Sequence, residues 1–451
     1  MTSPLPRVGT VRTGNGRPQT HSDKSEQETE YKDRPFNGFR IAKTERARAV
    51  VADVINQIQN LETFYSFRQR ARKPGDQQQF EQQIEAIVCD LIHRQITAPG
   101  GKLAVPFSKT ILGNSDRYRA KVLGKTLPDV IERMAMPEMD FVCFERGYQN
   151  PFLEGGSRQT VMWAGARLRS RIEDYQLTLR DLGVGPGEEI IILKASKEDY
   201  FDTGKRIQYE DTLQTMAFRE ELQRINDGLE RAKIDFLSPS WMNGQVEIDV
   251  SDRRLRRVFN NGSFEQGGRL FGGFWQALPR GLRKHGILID DTDIVTLDYG
   301  QMAPLILYGR AGIKPHFDDA YAVPGLEPYR DGVKKLMNAM IQSYRPLVRR
   351  PQGTKTLLPK NLRLEQMLEL ITDFHKPIAS FFGVGKGLNV FYQESQILVS
   401  VLTRLTEHGI TALPIHDAVI VSEDRQEKAK AVMLAVFKEV TGIDGRVELD
   451  E

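Results

Sequence analysis

The chain has 451 residues, 40% of them hydrophobic and 27% charged, which suits a globular protein of two or three domains with a sizeable core. A formal net charge of only +3 does not announce nucleic acid, and two cysteines, Cys89 and Cys143, exclude a disulfide framework and a cysteine-built zinc site. There is no 18-residue apolar run and no apolar core of a secretory signal at the N-terminus, so a reducing, cytoplasmic setting is expected.

The first 48 residues are rich in Arg, Lys, Ser, Gly and Gln and nearly free of large apolar side chains. Such a segment cannot bury enough surface to offset its ordering entropy, so residues 1–43 are expected to form a disordered tail. Its stretch VRTGNGRPQTHSDK (11–24) reads as solvated, with contact to a phosphate backbone as the alternative. From residue 44 a helical period begins. Val50, Val51, Val54, Ile55, Ile58 and Leu61 recur every three or four residues and share one face. A second helix is predicted over 78–95, with Phe80, Ile84, Ile87, Val88, Leu91 and Ile92 inward. Shorter helices follow near 107–113 and 127–135. MDFVCFERGYQNPFLEGGSRQTVMWAGARL (139–168) then reads as two strands around a loop rich in Gly, Asn and Pro.

Helices followed by a hairpin with a basic tip is the order of a winged helix-turn-helix, a module that sets a helix in the major groove. Lys109, Arg117, Arg119, Lys121, Lys125 and Arg158 fall where backbone contacts would help. The alternative is a helical scaffold that braces the rest of the chain. Residues 165–185 are expected to be helical and 186–194 to form a strand. A long amphipathic helix is expected over 209–232, burying Leu213, Met216, Phe218, Leu222, Ile225, Leu229 and Ala232. It is either a thumb-like helix riding on a duplex or plain packing. The run RLRR (254–257) tracks a backbone or lies on a solvated helix face.

Strands and helices alternate in the C-terminal half. DIVTLDYG (293–300) reads as a strand ending in an acid, with a helix after it. Helices are expected over 330–342, 387–405 and 423–442, and TALPIHDAVIVS (411–422) reads as a hairpin with His416 and Asp417 at its turn. Asp298 and Asp417 each stand beside Val, Leu and Ile, where a carboxylate costs desolvation energy unless something positive pairs with it. Magnesium is a natural partner, and two carboxylates holding two metal ions would clamp the attacking and leaving oxygens of a phosphoryl displacement. The structural alternative is that each acid caps an element or pairs with an arginine. His316, Asp318 and Asp319 read as a solvated turn, with metal binding the minor reading. GVGKG (383–387) lacks the earlier Gly and the following Ser or Thr of a phosphate loop. Trp241 and Trp275 read as core residues, with base stacking as the alternative.

VTLDYGQMAPLILYGRAG resembles motif A of the family A DNA polymerases, the bacterial polymerase I type. LPIHDAVIV resembles motif C of the same superfamily, which the phage-type single-subunit RNA polymerases share. YRDGVKKLMNAMIQS resembles motif B, and RVFNNGSFEQGGRLFGGFWQALPR resembles the segment just before motif A. The four blocks stand in the family's order over about residues 250–445. The resemblance implies an α+β right-hand fold with a palm, an antiparallel sheet backed by helices, and fingers. It divides the chain into a tail (1–43), a helical or winged-helix-like N-terminal domain (44–185), a thumb-like connector (186–250) and a palm-and-fingers domain (251–451).

The same resemblance implies roles. Asp298, Asp417 and the carbonyl of Tyr299 would hold two magnesium ions, with manganese as a substitute. Arg330 and Lys334 would bind the incoming triphosphate, with Lys335 a rival for Lys334. His416 would sit near the primer terminus. Arg269 and Gln393 would contact the primer–template duplex, with Gln396 the competitor of Gln393. The implied activity is that of a nucleotidyltransferase, a DNA polymerase acting on DNA primer–template and nucleoside triphosphates, in a replication protein of a plasmid, phage or other mobile element.

Three departures bear on this. Ala303 stands where many family A enzymes carry the Glu that excludes the ribose 2′-OH. The motif B aromatic is missing near Ile341 and Gln342. Ala418 follows His-Asp where a Glu is common. An alternative is therefore a primase or RNA polymerase using NTPs, with RNA among its partners. A second is a DNA-binding replication initiator without catalysis. No Asp-x-Glu exonuclease signature is present, DFVCFE (140–145) having the wrong spacing, so proofreading is not expected.

Overall fold

The structure is a computed structural model that describes residues 32–148, 157–197, 202–238 and 248–450. The N-terminal half runs through strands β1 (Arg34–Pro35) and β2 (Arg40–Ala42), helices α1 (Glu45–Phe64) and α2 (Pro74–Thr97), strand β3 (Leu103–Val105), helices α3 (Lys109–Leu112) and α4 (Leu127–Met134), strands β4 (Val142–Glu145) and β5 (Thr160–Ala164), helix α5 (Ala166–Asp174) and strand β6 (Leu182–Val184). Thr44 starts α1 as an extended N-cap whose hydroxyl accepts from the Ala47 N–H, and Pro74 opens α2 where no amide partner is needed. The inward stripe of α1 packs Val50, Val54 and Ile58 against Phe80, Ile84, Ile87 and Leu91 of α2, as the periodicity predicts. Beside them lies a sheet of order β1-β3-β5-β4, in which β1 is parallel to β3 and the other pairs are antiparallel.

Two boundaries differ from expectation. Residues 34–42 form β1 and β2 and bury Phe36, Arg40 and Ala42, because Arg34 and Arg40 both close onto buried Asp90 of α2, at 2.6 and 3.1 Å. The expected tail therefore does not reach residue 43, and its first 31 residues, like the hairpin tip at 149–156 and Trp241, lie outside the described residues. The helix expected over 165–185 stops at Asp174, and Leu182–Val184 instead pair with β2.

The C-terminal half continues with β7 (Ile191–Leu193), α6 (Leu213–Arg231), β8 (Ile234–Phe236), β9 (Leu255–Asn260), β10 (Ser263–Gly272), α7 (Phe274–Ala277), α8 (Arg280–Gly286), β11 (Ile287–Ile289), β12 (Ile294–Tyr299), α9 (Met302–Ala311), α10 (Arg330–Gln342), α11 (Leu364–Phe374), α12 (Gly387–Glu407), β13 (Leu413–Ile415), β14 (Ala418–Ser422), α13 (Gln426–Thr441) and β15 (Val447–Leu449). Its central sheet has the order β13-β14-β12-β15, all antiparallel. A second sheet, β10-β9-β7, lies against α12, and α12 also meets α6, α9 and α13. One continuous core joins these elements, with Leu297, Ile306, Val401 and Phe437 near its centre.

Two expectations are corrected here. Residues 255–257 of the run 254–257 belong to strand β9, not a helix face, so they alternate and Arg257 is wholly buried. Leu213 and Met216 are exposed at 87% and 54% rather than buried. The inward stripe of α6 runs through Thr215, Phe218, Leu222, Ile225 and Leu229, which leaves residues 213 and 216 off the packed face. Among the described residues no helix is long and apolar enough to cross a membrane. The fold is thus mixed α+β, with small sheets packed against helices in each half.

Candidate active site

Strand β12 sets the site. Leu297 and Tyr299 are buried, and the Tyr299 hydroxyl donates to the Met433 carbonyl of α13 at 2.7 Å, so Asp298 between them points to the opposite face. Asp298 stands in register with Ala418 of β14 on one side and Glu448 of β15 on the other. Asp417 immediately precedes Ala418, at the two-residue turn between β13 and β14. The turn closes because His416 takes a left-handed φ of 56°. Two acids 119 residues apart in sequence are thereby brought to neighbouring positions at one end of one sheet. Buried Trp275 holds this hairpin: its indole N–H donates to the Pro414 carbonyl at 2.9 Å, and Gln276 donates to the same oxygen at 3.0 Å.

The acids border a cleft of about 350 Å³, with His416, Asp450 and the cations Arg280, Arg283 and Lys284 of α8 around it. Burial pushes the Asp298 carboxyl up to about 6; the negative charges of Asp417 and Asp450 push it the same way, and Lys334 opposes them. One Asp298 oxygen, Oδ1, is buried and accepts no hydrogen bond. A buried carboxylate oxygen without a donor, beside a second carboxylate, is the environment a divalent cation relieves. Among the described residues no group of three or more His, Cys, Asp or Glu side chains is disposed as a metal cage. Magnesium does not need one, since it commonly takes one or two carboxylates and completes its shell with water and substrate phosphate. The donor set fits such an ion, with Asp298 and Asp417 as the side chains that would hold it.

The cations expected at the site lie on α10. Arg330 donates to Asp319 at 2.5 Å, and the Arg330 and Lys334 heads stand 5.4 and 5.9 Å from the centroid of the Tyr321 ring. Lys334 makes no ion pair among the described residues and acts electrostatically on Asp298. Its rival Lys335 turns to the Gly353 carbonyl at 3.4 Å. Arg269 donates to Glu394 at 2.8 Å and lies 3.8 Å over the Phe391 ring. Gln393 accepts from Arg310 at 2.7 Å, and Gln396 accepts from Arg257 at 2.8 Å, so both amides are engaged within the protein. Ala303 sits half-buried in the first turn of α9.

Sequence reasoning missed Glu394, Tyr321, Asp450 and the basic face of α8. Glu394 is nearly buried; burial raises its carboxyl, and its field reaches both Tyr321 and, with Asp417, the cleft. A step of about 100° around α12 separates it from Gln393, which faces Arg310 instead. His316 packs on Phe317 and Phe374, and Asp319 is taken by Arg330, so the residues 316–319 form an aromatic and ion-paired turn.

The N-terminal half has the order helix, strand, short helix, helix and hairpin in α2 to β5, but its expected cations are mostly occupied. Lys109 pairs with Asp129 at 3.1 Å, Arg158 with Glu145 at 3.0 Å, and Arg117 with Glu189 and Asp211 at 3.2 and 2.9 Å. Arg119 donates to the Ile111 and Asn114 carbonyls at 2.6 and 3.2 Å. The outward residues of α4 include the acids Asp129 and Glu132, the latter paired with Arg146. Only Lys121 and Lys125 of the six expected cations are exposed without such a partner among the described residues.

No family model matches the chain, and comparison with curated proteins gives no match. Among solved structures, the POL domain of Pol1 from M. smegmatis, in complex with DNA primer-template and dNTP, is similar over 57% of this chain and 57% of that one, with 13% identity and a TM-score of 0.32. The chain thus spans little more than half of that neighbour's length, and an overlap this slight carries no argument about function.

Proposed function

We propose that the chain is a template-directed nucleotidyl transferase that extends a primer 3′ end, with the sheet β13-β14-β12-β15 as its palm and α10 as part of its fingers. The observation that carries this reading is the register of Asp298 with Ala418, which sets Asp298 beside Asp417 at one end of the sheet on the lining of the cleft, with one buried Asp298 oxygen unpartnered. The order of the four resembling blocks, RVFNNGSFEQGGRLFGG, VTLDYGQ, YRDGVKK and LPIHDAV, supports it independently.

Magnesium bound by the two carboxylates, and by the Tyr299 carbonyl, would supply charge stabilisation for the phosphoryl group in flight. The chain's own residues do the rest. Asp417 brings negative charge to the half-buried Asp298 carboxyl, which a bound divalent cation would offset. Lys334 and Arg330 present two positive heads on one face of α10, where they bind the triphosphate and balance charge that develops on the leaving group. Lys334 has no acidic partner among the described residues to surrender, whereas Arg330 exchanges Asp319 for phosphate. His416, exposed at the hairpin turn, faces the primer end, and Arg269, held by Glu394, meets the duplex. The role assigned is that of a mobile-element replication protein without proofreading.

The test is extension of a labelled primer–template with magnesium and dNTPs. Wild-type protein extends the primer, and Asp298→Ala and Asp417→Ala each lose about 10³-fold or more, because each removes a carboxylate that would hold the metal. Absence of metal-dependent incorporation by wild type on any template, or equal incorporation by the variants, ends this reading in favour of a non-catalytic DNA-binding protein. Use of NTPs is a second reading, favoured by the small Ala303 side chain at the sugar-gate position. De novo products from NTPs without primer would establish it over the DNA polymerase reading.

A further inference from the structure

The end of α1 and the segment after it, residues 64–73, combine two properties that a solvated loop does not need. The first is exposed aromatic surface: Phe64, Tyr65 and Phe67 are 81%, 42% and 45% exposed. These rings are ordered against one another. Ser66 takes a left-handed φ of 53°, which folds the chain so that Tyr65 and Phe67 stack with centroids 5.4 Å apart and planes 14° from parallel. Phe64 and Tyr65 meet in a T-shaped contact at 5.0 Å that leaves most of Phe64 in solvent.

The second property is unpaired positive charge. Arg68, Arg70 and Lys73 are exposed, and their side chains make no hydrogen bond or ion pair among the described residues. Two acids beside the rings are already occupied. Glu62 is buried between Arg72, at 2.6 Å, and Arg133, and Glu138 accepts the Tyr65 hydroxyl at 2.8 Å. Arg72 itself is structural, lying 3.5 Å over the Phe80 ring. What faces solvent is therefore a set of flat rings flanked by free cations.

We propose that the segment 64–73 is a binding site for single-stranded nucleic acid, in which unpaired bases stack on Phe64 and the Tyr65–Phe67 pair while Arg68, Arg70 and Lys73 hold the phosphates. Ring faces match the π-faces of bases, and the cations beside them match a backbone; this pairing of stacking and charge is what sequence-tolerant single-strand binding requires. A duplex hides its base faces within the stack, and an acidic peptide has no use for parallel rings. The site lies on the N-terminal half, away from the residues assigned to nucleotidyl transfer, and does not rest on that assignment.

The experiment uses the full chain and a fluorescein-labelled oligothymidylate of about 20 nucleotides, longer than the strand one such surface covers. Anisotropy gives the affinity, and a bromodeoxyuridine-substituted strand gives the location by photocrosslinking and peptide mapping. Crosslinks within residues 64–73 are expected, with about a 5- to 50-fold loss of affinity in Phe64→Ala. The triple variant Arg68→Gln, Arg70→Gln, Lys73→Gln lowers the slope of log affinity against log salt by about 2. Because Phe64 is so exposed, its truncation leaves the core intact, which an unchanged melting temperature verifies. The proposal is overturned by any of three results: unchanged affinity in Phe64→Ala with crosslinks mapping elsewhere, an equal loss for the matching duplex, or loss of binding to phosphatidylserine vesicles while oligonucleotide affinity stays the same. Running Asp298→Asn in parallel separates this site from the cleft, since its crosslinks to residues 64–73 persist whether or not the cleft proves catalytic.

Discussion

Both halves of the molecule hold carboxylates out of water, and Asp298 stands apart from the rest, which cations close, as Arg269 closes Glu394 in the C-terminal half. In the N-terminal half each is closed by its neighbours: Asp90 lies between Arg34 and Arg40, Glu62 between Arg72 and Arg133, and Asp181 takes Arg46 at 2.9 Å. In the C-terminal half Asp298 is half-buried, with one buried oxygen that nothing donates to, while Lys334 nearby pairs with no acid among the described residues. Closed charges are architecture, because each satisfies the other within the fold. Open ones cost stability in the free protein and are relieved only by something that binds. Arg257 shows that the distinction follows the local partners and not the half. It is fully buried, donates to the Gly268 carbonyl, Ser395 and Gln396 at 3.1, 2.9 and 2.8 Å, and lies against the Phe218 and Phe259 rings. Burial lowers its guanidinium to about 10; Nη1 makes no hydrogen bond and has Glu221 at 3.9 Å, while the other nitrogens tie β9, β10 and α12 together.

The comparison can be broken most sharply at Arg257. Arg257→Ala leaves a cavity and strands the Gly268 carbonyl, Ser395 and Gln396, so a loss of about 3 kcal/mol or more is expected in urea denaturation. A loss under about 1 kcal/mol would mean that this buried charge is not held as a closed one should be.

Asp298→Asn should act with the opposite sign. The folded protein holds the Asp298 proton up to about pH 6, against an ordinary carboxyl near 3.8, so folding favours protonation. Wild-type stability in chelator therefore declines as pH rises from about 4 through about 6 and stays reduced above that. The variant escapes this decline. Discounting for partial solvent screening, it should be more stable than wild type by about 1–2 kcal/mol at pH 8 and equal to it below about pH 4. Thermal melts across that range check it, and added magnesium should narrow the gap by holding the ionised wild-type carboxylate. A less stable variant at pH 8 would mean that the open carboxylate is in fact satisfied.

The smallest effects belong to the exposed pairs of the N-terminal half. Lys109→Gln and Arg158→Gln should each change stability by less than about 0.5 kcal/mol and leave duplex affinity within about twofold. A large loss of duplex affinity would show these cations exchanging Asp129 and Glu145 for phosphate, and would erase the contrast between the halves.

Much of the scaffold was legible in the sequence because its signals are local. The stripe of α1, the apolar strand before Asp298 and the hairpin carrying His416 and Asp417 each follow from spacing alone. The reading failed where tertiary position decides. RLRR looks like a charged helix turn, yet pairing with β7 and β10 makes it a strand and turns Arg257 inward. Leu213 and Met216 look like core, but Thr215 takes the inward place on that turn. Gln393 has the composition expected of a duplex contact, while Glu394 beside it is the side chain that meets Arg269. Tyr321 stands in a polar loop with no period to mark it, and only the approach of α10 gives it cations. Nor does any local pattern announce that Asp450 and α8 border the cleft, since that depends on β15 pairing with β12.

That pairing has a further consequence. β12 has a hydrogen-bonded neighbour on each side, so its register is fixed twice, by β14 and by β15. Because side chains alternate along a strand, sliding β12 by one position would turn Leu297 into the cleft and drive Asp298 into the packing that Tyr299 makes with α13. A slide of two would keep an outward residue outward and merely move the carboxylate along the sheet. The cleft is in this sense a matter of parity: insertions or deletions within β12 are sorted by whether their length is odd or even before any question of chemistry arises.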